Sequence, residues 1–196
     1  RSVSRAVGTE PEPSRQRRAG GVSRLAEQPA ALPTPTRPGI MAQEPEEDLA
    51  RLLDAARRDG SAQAVQALAD AVRVQARSES GRAAAGALPG LLDLMVSVLG
   101  DVDLARAWPS TAGAMANLAA NNDQNRDALA DAGALARLAF ACEASPGPDF
   151  DRCAAAALGN IVADNGACQQ VAVDSGCAVA ISKLVVAEDA SVRQLA

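Results

Sequence analysis

An internal repeat constrains this chain more than any other feature of its sequence. The stretch AMANLAANNDQNRDALADAGALARL, residues 114–138, matches AALGNIVADNGACQQVAVDSGCAVAI, residues 156–181, at a spacing of 43 residues that pairs Asn117 with Asn160. A period in the forties with helical patterning is typical of an α-solenoid, in which each unit buries its apolar face against its neighbours. The sequence therefore predicts an all-α repeat fold.

A third copy of the long helix precedes these two. The stretch SAQAVQALADAVRVQAR, which begins at Ser61, has apolar residues at three- and four-residue spacing, and this predicts an amphipathic helix that starts at the serine. A shift of 47 residues aligns Leu68 with Met115 and Asp70 with Asn117. On this alignment the predicted long helix occurs three times.

Each long helix is followed by a short helix that ends near Gly86, Gly133 or Gly176, and then by a middle helix. In the first two copies the middle helix opens with GALPGLLDLM and GALARLAFAC, again 47 residues apart. Glycine at this junction permits a sharp turn or a close approach of helices. The predicted core-facing sets are Leu88, Leu91, Leu92 and Met95; Leu135, Leu138, Ala139 and Cys142; and Ala178, Ile181, Ser182 and Val185.

Two further signals concern the starts of long helices. Trp108-Pro109 is expected to start or kink its helix, because proline lacks the amide proton that a helix interior needs. Asp149 or Asp151 is expected to cap the helix that contains Asn160, because an aspartate side chain accepts from the free amides of the first turn.

The composition excludes most of the common types of catalytic site. The chain has no histidine, which excludes histidine-based acid–base chemistry, nucleophiles activated by histidine and most zinc sites. Its one lysine, Lys183, follows Ser182 rather than glycine, so the phosphate-binding loop of the Walker type is missing. We therefore expect a protein that is not an enzyme and needs no cofactor.

The four cysteines lie too far apart for a metal or redox motif. Cys142, Cys153, Cys168 and Cys177 are separated by 11, 15 and 9 residues. Without a C-x-x-C pair they are expected to be small buried hydrophobic residues in a reducing compartment, and no metal site is predicted. The expected compartment is the cytoplasm, and the nucleus is also compatible.

The first forty residues differ from the rest. They hold six of the eleven prolines, seven arginines and three acidic residues without apolar periodicity, which predicts a disordered tail over residues 1–45 and a repeat domain over 46–196. The same composition fits an organelle transit peptide. Two other readings are that the sequence is a fragment of a longer protein, truncated at its C-terminus, or that translation starts at Met41.

From Met41 onward the charge is acidic, with 12 basic and 21 acidic residues. This balance disfavours a nucleic-acid partner and favours a basic peptide or protein. No run of apolar residues reaches the 18 or so that a membrane-spanning helix needs.

The stretches NLAANNDQNRDALADAGALARL and GNIVADNGACQQVAVDSG resemble armadillo repeats, which are three-helix units of about forty residues. The resemblance covers about residues 61 to 196. It implies a right-handed superhelix whose long third helices line a concave groove, in which the asparagine of each long helix binds the main chain of an extended peptide. Asn117 and Asn160 match that asparagine position.

A row of such asparagines, hereafter the carboxamide ladder, can bind a peptide main chain for a physical reason that does not depend on the family. A carboxamide offers two donors and an acceptor, so it pairs with the C=O and N–H of an extended segment whatever its side chains. Asp70 aligns with these asparagines, and its carboxylate accepts but does not donate. Importin-α-like members carry a tryptophan one turn earlier, where this chain has Gly113 and Ala156, so their activity is not expected. Alternatively, the asparagines only hydrogen-bond helix ends to the next unit's loop.

A second resemblance suggests a regulatory role. ALGNIVADNG and EDLARLLDA are similar to armadillo proteins that stimulate nucleotide dissociation from small GTPases, although no residue is diagnostic. The main hypothesis is a non-catalytic, monomeric interaction module that binds an extended or basic protein segment in its groove through Asn117, Asn160, Arg152 and Asp70. The alternative is a guanine-nucleotide exchange factor for a small GTPase.

Overall fold

The computed structural model describes residues 45–144 and 147–185. Within those ranges the chain forms ten α-helices and one 3₁₀ helix, and it contains no strand. The α-helices are α1 (Pro45–Asp59), α2 (Ala62–Gln75), α3 (Glu79–Gly86), α4 (Leu91–Val98), α5 (Trp108–Ala119), α6 (Asp123–Asp131), α7 (Ala134–Ala144), α8 (Pro148–Val162), α9 (Gly166–Asp174) and α10 (Cys177–Val185); the 3₁₀ helix is Val102–Ala107.

Helices of the same class pack on one another. The long helices α2, α5 and α8 form one stack, the short helices α3, α6 and α9 a second, and the middle helices α4, α7 and α10 a third, while α1 packs on α2. This arrangement is the one expected when each unit buries its apolar stripe against its neighbours. The predicted all-α solenoid of three-helix repeats is confirmed.

Side-chain caps start four of the described α-helices. The predicted start of α2 at Ser61 is confirmed, since its hydroxyl accepts a hydrogen bond from the backbone N–H of Ala64 at 3.2 Å. Ser78, Asn122 and Asn165 cap α3, α6 and α9 in the same way. Each cap satisfies one of the amides that the first turn of a helix leaves free.

The long helices α5 and α8 start differently. Trp108 is the first residue of α5 and Pro109 lies in its first turn, so the Trp-Pro pair starts the helix rather than kinking it. The predicted aspartate cap of α8 is wrong. Gly147 occupies the capping position. Asp149 and Asp151 lie inside the first turn, where their negative charge still interacts favourably with the positive end of the helix dipole.

An aromatic cluster fills the core beside the 3₁₀ helix. The buried ring of Trp108 lies 5.9 Å from that of Phe150 and 6.5 Å from that of Phe140, measured between centroids. Its indole N–H donates to the carbonyl oxygens of Val98 at 2.7 Å and Asp101 at 3.1 Å. The ring therefore joins the end of α4 to the start of α5, and its own buried N–H is paired.

The three middle helices repeat at a constant interval of 43 residues. Gly90, Gly133 and Gly176 all have positive φ, at 74°, 85° and 77°, and each directly precedes a middle helix. The 47-residue alignment, which matched Gly86 with Gly133, is therefore wrong here. Four residues make about one helical turn, so the incorrect alignment still superposes apolar residues on apolar ones. The buried residues confirm the shorter period: Leu91, Leu92, Met95, Val96, Val98 and Leu99 correspond to Ala134, Leu135, Leu138, Ala139, Ala141 and Cys142.

Two predictions extend outside the described ranges. These are the tail, of which residues 1–44 lie outside, and the part of the repeat domain after Val185. All four cysteines are described, and each is a buried free thiol, as expected. None of the described helices is long and apolar enough to cross a membrane.

Candidate functional site

Asn117 and Asn160 make the same hydrogen bond one unit apart. The side-chain amide of Asn117 donates to the carbonyl oxygen of Arg73 at 2.9 Å, and that of Asn160 donates to Ala116 at 2.8 Å. Both acceptors lie on the preceding long helix, near its end. Each asparagine thus joins two stacked long helices, whereas the sequence suggested a bond to the next unit's loop.

These bonds use only part of each carboxamide. Both side chains are partly exposed, and their oxygen atoms and second amide protons have no hydrogen-bond partner among the described residues. A carboxamide has two donors and an acceptor, so one acceptor and one donor of each residue are free for a ligand. The bond to the preceding helix fixes the orientation in which they are presented.

The same bonds place Val74, rather than Asp70, at the asparagine position of α2. Ala116 precedes Asn117 by one residue and accepts from Asn160, and Arg73 precedes Val74 by one residue and accepts from Asn117. The alignment of Asp70 with Asn117 is therefore wrong, and Asp70 lies about one turn earlier on α2. Burial does not decide between the two alignments on α2, because Val65, Leu68, Ala69 and Val72 fall on buried residues of α5 at either shift.

Arg73 lies on the side of α2, α5 and α8 that carries Asn117 and Asn160, hereafter the long-helix face. Its carbonyl oxygen holds Asn117, and its guanidinium lies 3.7 Å from the carboxylate of Asp70. The side chain crosses over Gly113 of α5 so closely that a Cβ on that glycine would meet the guanidinium Nε at 2.9 Å. Arg73 was not predicted from the sequence, because only the stacking of α2 on α5 brings it over a glycine 40 residues away.

Arg152 lies on the same face at the start of α8. Its guanidinium is 3.6 Å from the carboxylate of Asp149, one turn earlier, and both side chains are largely open to solvent. Next to it, burial raises the pKa of the Cys153 thiol, while the positive charges of Arg152 and Arg73 act in the opposite direction.

The structure joins Asp70 and Asn117 to Arg73, whereas Asn160 bonds to Ala116 and Arg152 pairs with Asp149. Gly113 is buried beneath Arg73, and its counterpart Ala156 is partly exposed. Neither position can supply the aromatic surface that importin-α-like proteins have there. The local charge on the face is balanced, since each of the two arginines is paired with an aspartate.

A second set of polar residues connects the units inside the solenoid, and the sequence did not reveal it. The amide of the buried Asn125 donates to the carbonyl oxygens of Arg82 at 3.0 Å and Leu118 at 2.9 Å. The buried guanidinium of Arg126 donates to Ala119 at 3.0 Å and to Ala163 at 2.9 Å, and it also binds Asp123. The acceptors Leu118, Ala119 and Ala163 lie at or just after the end of a helix, where the helix itself offers no donor, whereas Arg82 lies within α3.

The next copy retains part of this arrangement. Gln169 lies 43 residues after Arg126, and its amide donates to Val162 as Arg126 donates to Ala119. The role is therefore repeated although the residue type is not. The available signal was the pair of polar residues three and four positions after the Asn122 cap, in the short helix α6.

Comparisons with known proteins identify the type of fold. No model of a known protein family matches the sequence, and no curated protein matches it significantly. Two engineered proteins solved by the Northeast Structural Genomics Consortium are similar in structure. One is 26% identical over 75% of this chain and 60% of its own, with a TM-score of 0.68, and the other is 24% identical over 78% and 59%, with a TM-score of 0.66.

A designed armadillo repeat protein is also similar. It is 21% identical over 81% of this chain and 75% of its own, with a TM-score of 0.51. At this identity the likeness concerns the fold alone, and it agrees with an armadillo-like solenoid of helical repeats. The chain spans about 60% of the length of the two engineered proteins.

Proposed function

We propose that this protein is an interaction scaffold that binds an extended protein segment along the long-helix face. The observation that carries the proposal is the matched pair of carboxamides, Asn117 and Asn160. Each is oriented by an equivalent bond to the preceding long helix and retains a free oxygen and a free amide proton. The similarity to a designed armadillo repeat protein supports a scaffold of this kind.

The spacing of the two asparagines suits an extended chain. Packed helices lie about 8–10 Å apart, and an extended strand rises about 3.3 Å per residue. The two carboxamides would therefore reach main-chain groups about three residues apart. Because they bind the main chain, they contribute affinity without requiring a particular side chain, and the neighbouring Asp70, Arg73 and Arg152 are left to select the sequence.

The test is binding of the whole chain to an array of short, unstructured peptides. Asn117→Ala and Asn160→Ala, alone and together, should weaken binding of every retained peptide, by about two- to tenfold for each hydrogen bond lost. Gln124→Ala is the matched control, because Gln124 is an exposed amide on α6, away from the long-helix face. Equal affinity of the double variant and the wild type would disprove the carboxamide ladder.

Each asparagine also stabilises the fold, so folding must be measured beside binding. Loss of one hydrogen bond to a helix carbonyl is expected to cost about 0.5–1.5 kcal/mol of unfolding free energy. The fluorescence of the buried Trp108 gives a direct record of unfolding. Binding is then compared at a temperature at which all variants are folded.

The alternative, nucleotide exchange on a small GTPase, has a separate test. It is supported by the acidic balance of the chain after Met41, which suits the basic tail of a GTPase. Release of fluorescent GDP from a panel of small GTPases should accelerate in the presence of the protein. If no GTPase in the panel responds, this alternative is rejected while the scaffold proposal stands.

A further inference from the structure

We propose that Arg126 is a positioning residue for peptide binding: it fixes the distance between Asn117 and Asn160, so that one extended main chain binds both carboxamides. This inference rests on the proposed function, because it concerns how the same two asparagines are held. Arg126 lies on the short helix α6 and is buried. It therefore acts through α5 and α8, the two helices that carry the asparagines.

The first observation is that Arg126 bonds to the ends of both helices. Its Nε donates to the carbonyl oxygen of Ala119, the last residue of α5, at 3.0 Å. Its Nη1 donates to the carbonyl oxygen of Ala163, the residue directly after α8, at 2.9 Å. A guanidinium is planar and its donors point in fixed directions, so two bonds from one group set the separation of the two acceptors.

The second observation is how near these bonds lie to the asparagines. Asn117 comes shortly before Ala119 in α5, and Asn160 comes shortly before Ala163 in α8, so each asparagine lies within one helical turn of an acceptor of Arg126. Helical backbone is rigid over so short a length. A shift of one helix end relative to the other would therefore change the interval between the two carboxamides.

The third observation is that the other two copies lack such a bridge. Arg82 has the place of Arg126 in the preceding copy, the fourth after the helix cap, and its Nη1 donates to two carbonyl oxygens just after the end of α2, at 3.3 and 3.4 Å. In the following copy Gln169 donates to Val162, the last residue of α8, at 3.1 Å. Within the described ranges, a short-helix side chain thus joins the ends of two long helices only between α5 and α8, the pair that carries the asparagines.

The bridge resists separation of the two helix ends. Arg126 is only 7% exposed, and its Nη1 also lies 2.9 Å from the carboxylate of Asp123. Hydrogen bonds from a charged donor are stronger than those between neutral groups. Moving either helix end away would leave a buried charged donor without its acceptor, and this costs free energy.

A fixed interval between the carboxamides selects the spacing of the main-chain groups that they bind. Each carboxamide can pair with the N–H and C=O of an extended segment. The contacted residues are expected to lie about three apart, from the spacing of packed helices and the rise of a strand. A peptide whose contacted groups lie one residue farther apart should therefore meet only one carboxamide at a time.

The test measures this interval on the ligand. In a peptide retained by the whole chain, each backbone N–H is replaced in turn by an N-methyl group, and we expect two sensitive positions about three residues apart, each weakening binding about two- to tenfold. One glycine is then inserted between these positions. The insertion should weaken binding to the wild type about two- to tenfold, whereas it should cost Arg126→Gln less than about twofold, because its helix ends can adjust to the longer spacing.

Arg126→Gln removes the bridge selectively. A glutamine at this position still donates to the end of the preceding long helix, as Gln169 does. Arg82→Gln is the matched control, because it is the same substitution in a copy without a bridge, and it should keep the insertion penalty of the wild type. A purely structural role would lower stability without changing that penalty.

Asp123→Asn is a second variant, which tests the inference even where Arg126→Gln does not fold. The Asp123 side chain is 85% exposed, so its replacement should leave the fold intact while removing the charged partner of the guanidinium. Its insertion penalty should lie between those of the wild type and Arg126→Gln. A single sensitive position, or wild-type penalties in the variants of Arg126 and Asp123, would overturn this inference and leave the scaffold proposal intact. Failure of the wild type to retain any peptide would overturn both.

Discussion

The side-chain amide of Asn125 lies directly over Gly86, so that a Cβ on the glycine would overlap its oxygen atom. Asn125 is held there by its bonds to Arg82 and Leu118 and cannot move away without losing them. Gly86→Ala should therefore destabilise the fold by about 1–3 kcal/mol, as overpacking does, although alanine is the better helix former. Urea unfolding followed by tryptophan fluorescence measures this change.

Gly166→Ala is the control for that variant. Gly166 is the first residue of α9, and a Cβ at this position would meet no atom within 4 Å. The substitution should leave the free energy of unfolding unchanged or slightly higher. Equal stability of Gly86→Ala and Gly166→Ala would show that the contact with Asn125 does not limit the packing of α3.

Arg126 should be among the most sensitive polar positions of the described chain. Arg126→Ala leaves the carbonyls of Ala119 and Ala163 without their donor, and a buried unpaired group costs about 1–3 kcal/mol. Arg126→Gln should be milder, because Gln169 makes the equivalent bond to Val162 in the next copy. Unfolding free energies in the order wild type, Arg126→Gln, Arg126→Ala are expected, and equal losses for both variants would contradict this account.

Val74 offers a gain-of-function test of the repeat register. It is 60% exposed and occupies the position of Asn117 one unit earlier, so Val74→Asn would add a third carboxamide to the long-helix face. Stability should change little at such an exposed site, while peptide affinity should rise about two- to tenfold through the added hydrogen bond. Asp70→Asn is the comparison variant, and a larger gain there than at Val74 would restore the 47-residue alignment.

Stability should fall in alkaline solution because of Cys142. Burial, with a smaller contribution from Asp151, raises the pKa of its thiol to about 12, against 9.0 for an ordinary thiol. The folded chain therefore keeps this proton between pH 9 and 12 whereas the unfolded chain loses it, and the stabilisation present below pH 9 is lost as pH rises. The slope of unfolding free energy against pH over this range should be smaller in Cys142→Ala, and an identical slope would exclude Cys142 as the cause.

Much of the fold follows from local patterns in the sequence. The apolar stripe after Ser61, the serine cap and the Trp-Pro start of α5 are set by residues within a turn or two of each other. The aspartate cap of α8 was predicted on the same grounds and failed. A Gly-Pro pair starts that helix instead, since proline at the first helical position needs no amide partner.

The candidate site was only partly accessible from the sequence. Asn117 and Asn160 were found because both copies keep the same residue, whereas Asp70 was aligned one turn away from its true counterpart. Arg73 could not be predicted from the sequence, because its side chain reaches the site only by crossing Gly113 of the neighbouring helix. Asn125 and Arg126 were missed since their partners are main-chain carbonyls, which every residue has.

The sequence by itself determined the class of structure: helices, their order and a repeat, because amphipathic periodicity and capping are local properties. It could not determine the register of the first copy, since shifts of 43 and 47 residues differ by about one helical turn and preserve the same apolar stripe. Only the tertiary structure made that choice, through the hydrogen bonds of Asn117 to Arg73 and of Asn160 to Ala116. A hydrogen bond reaches one acceptor at a fixed distance, whereas hydrophobic burial accepts any apolar residue on the correct face.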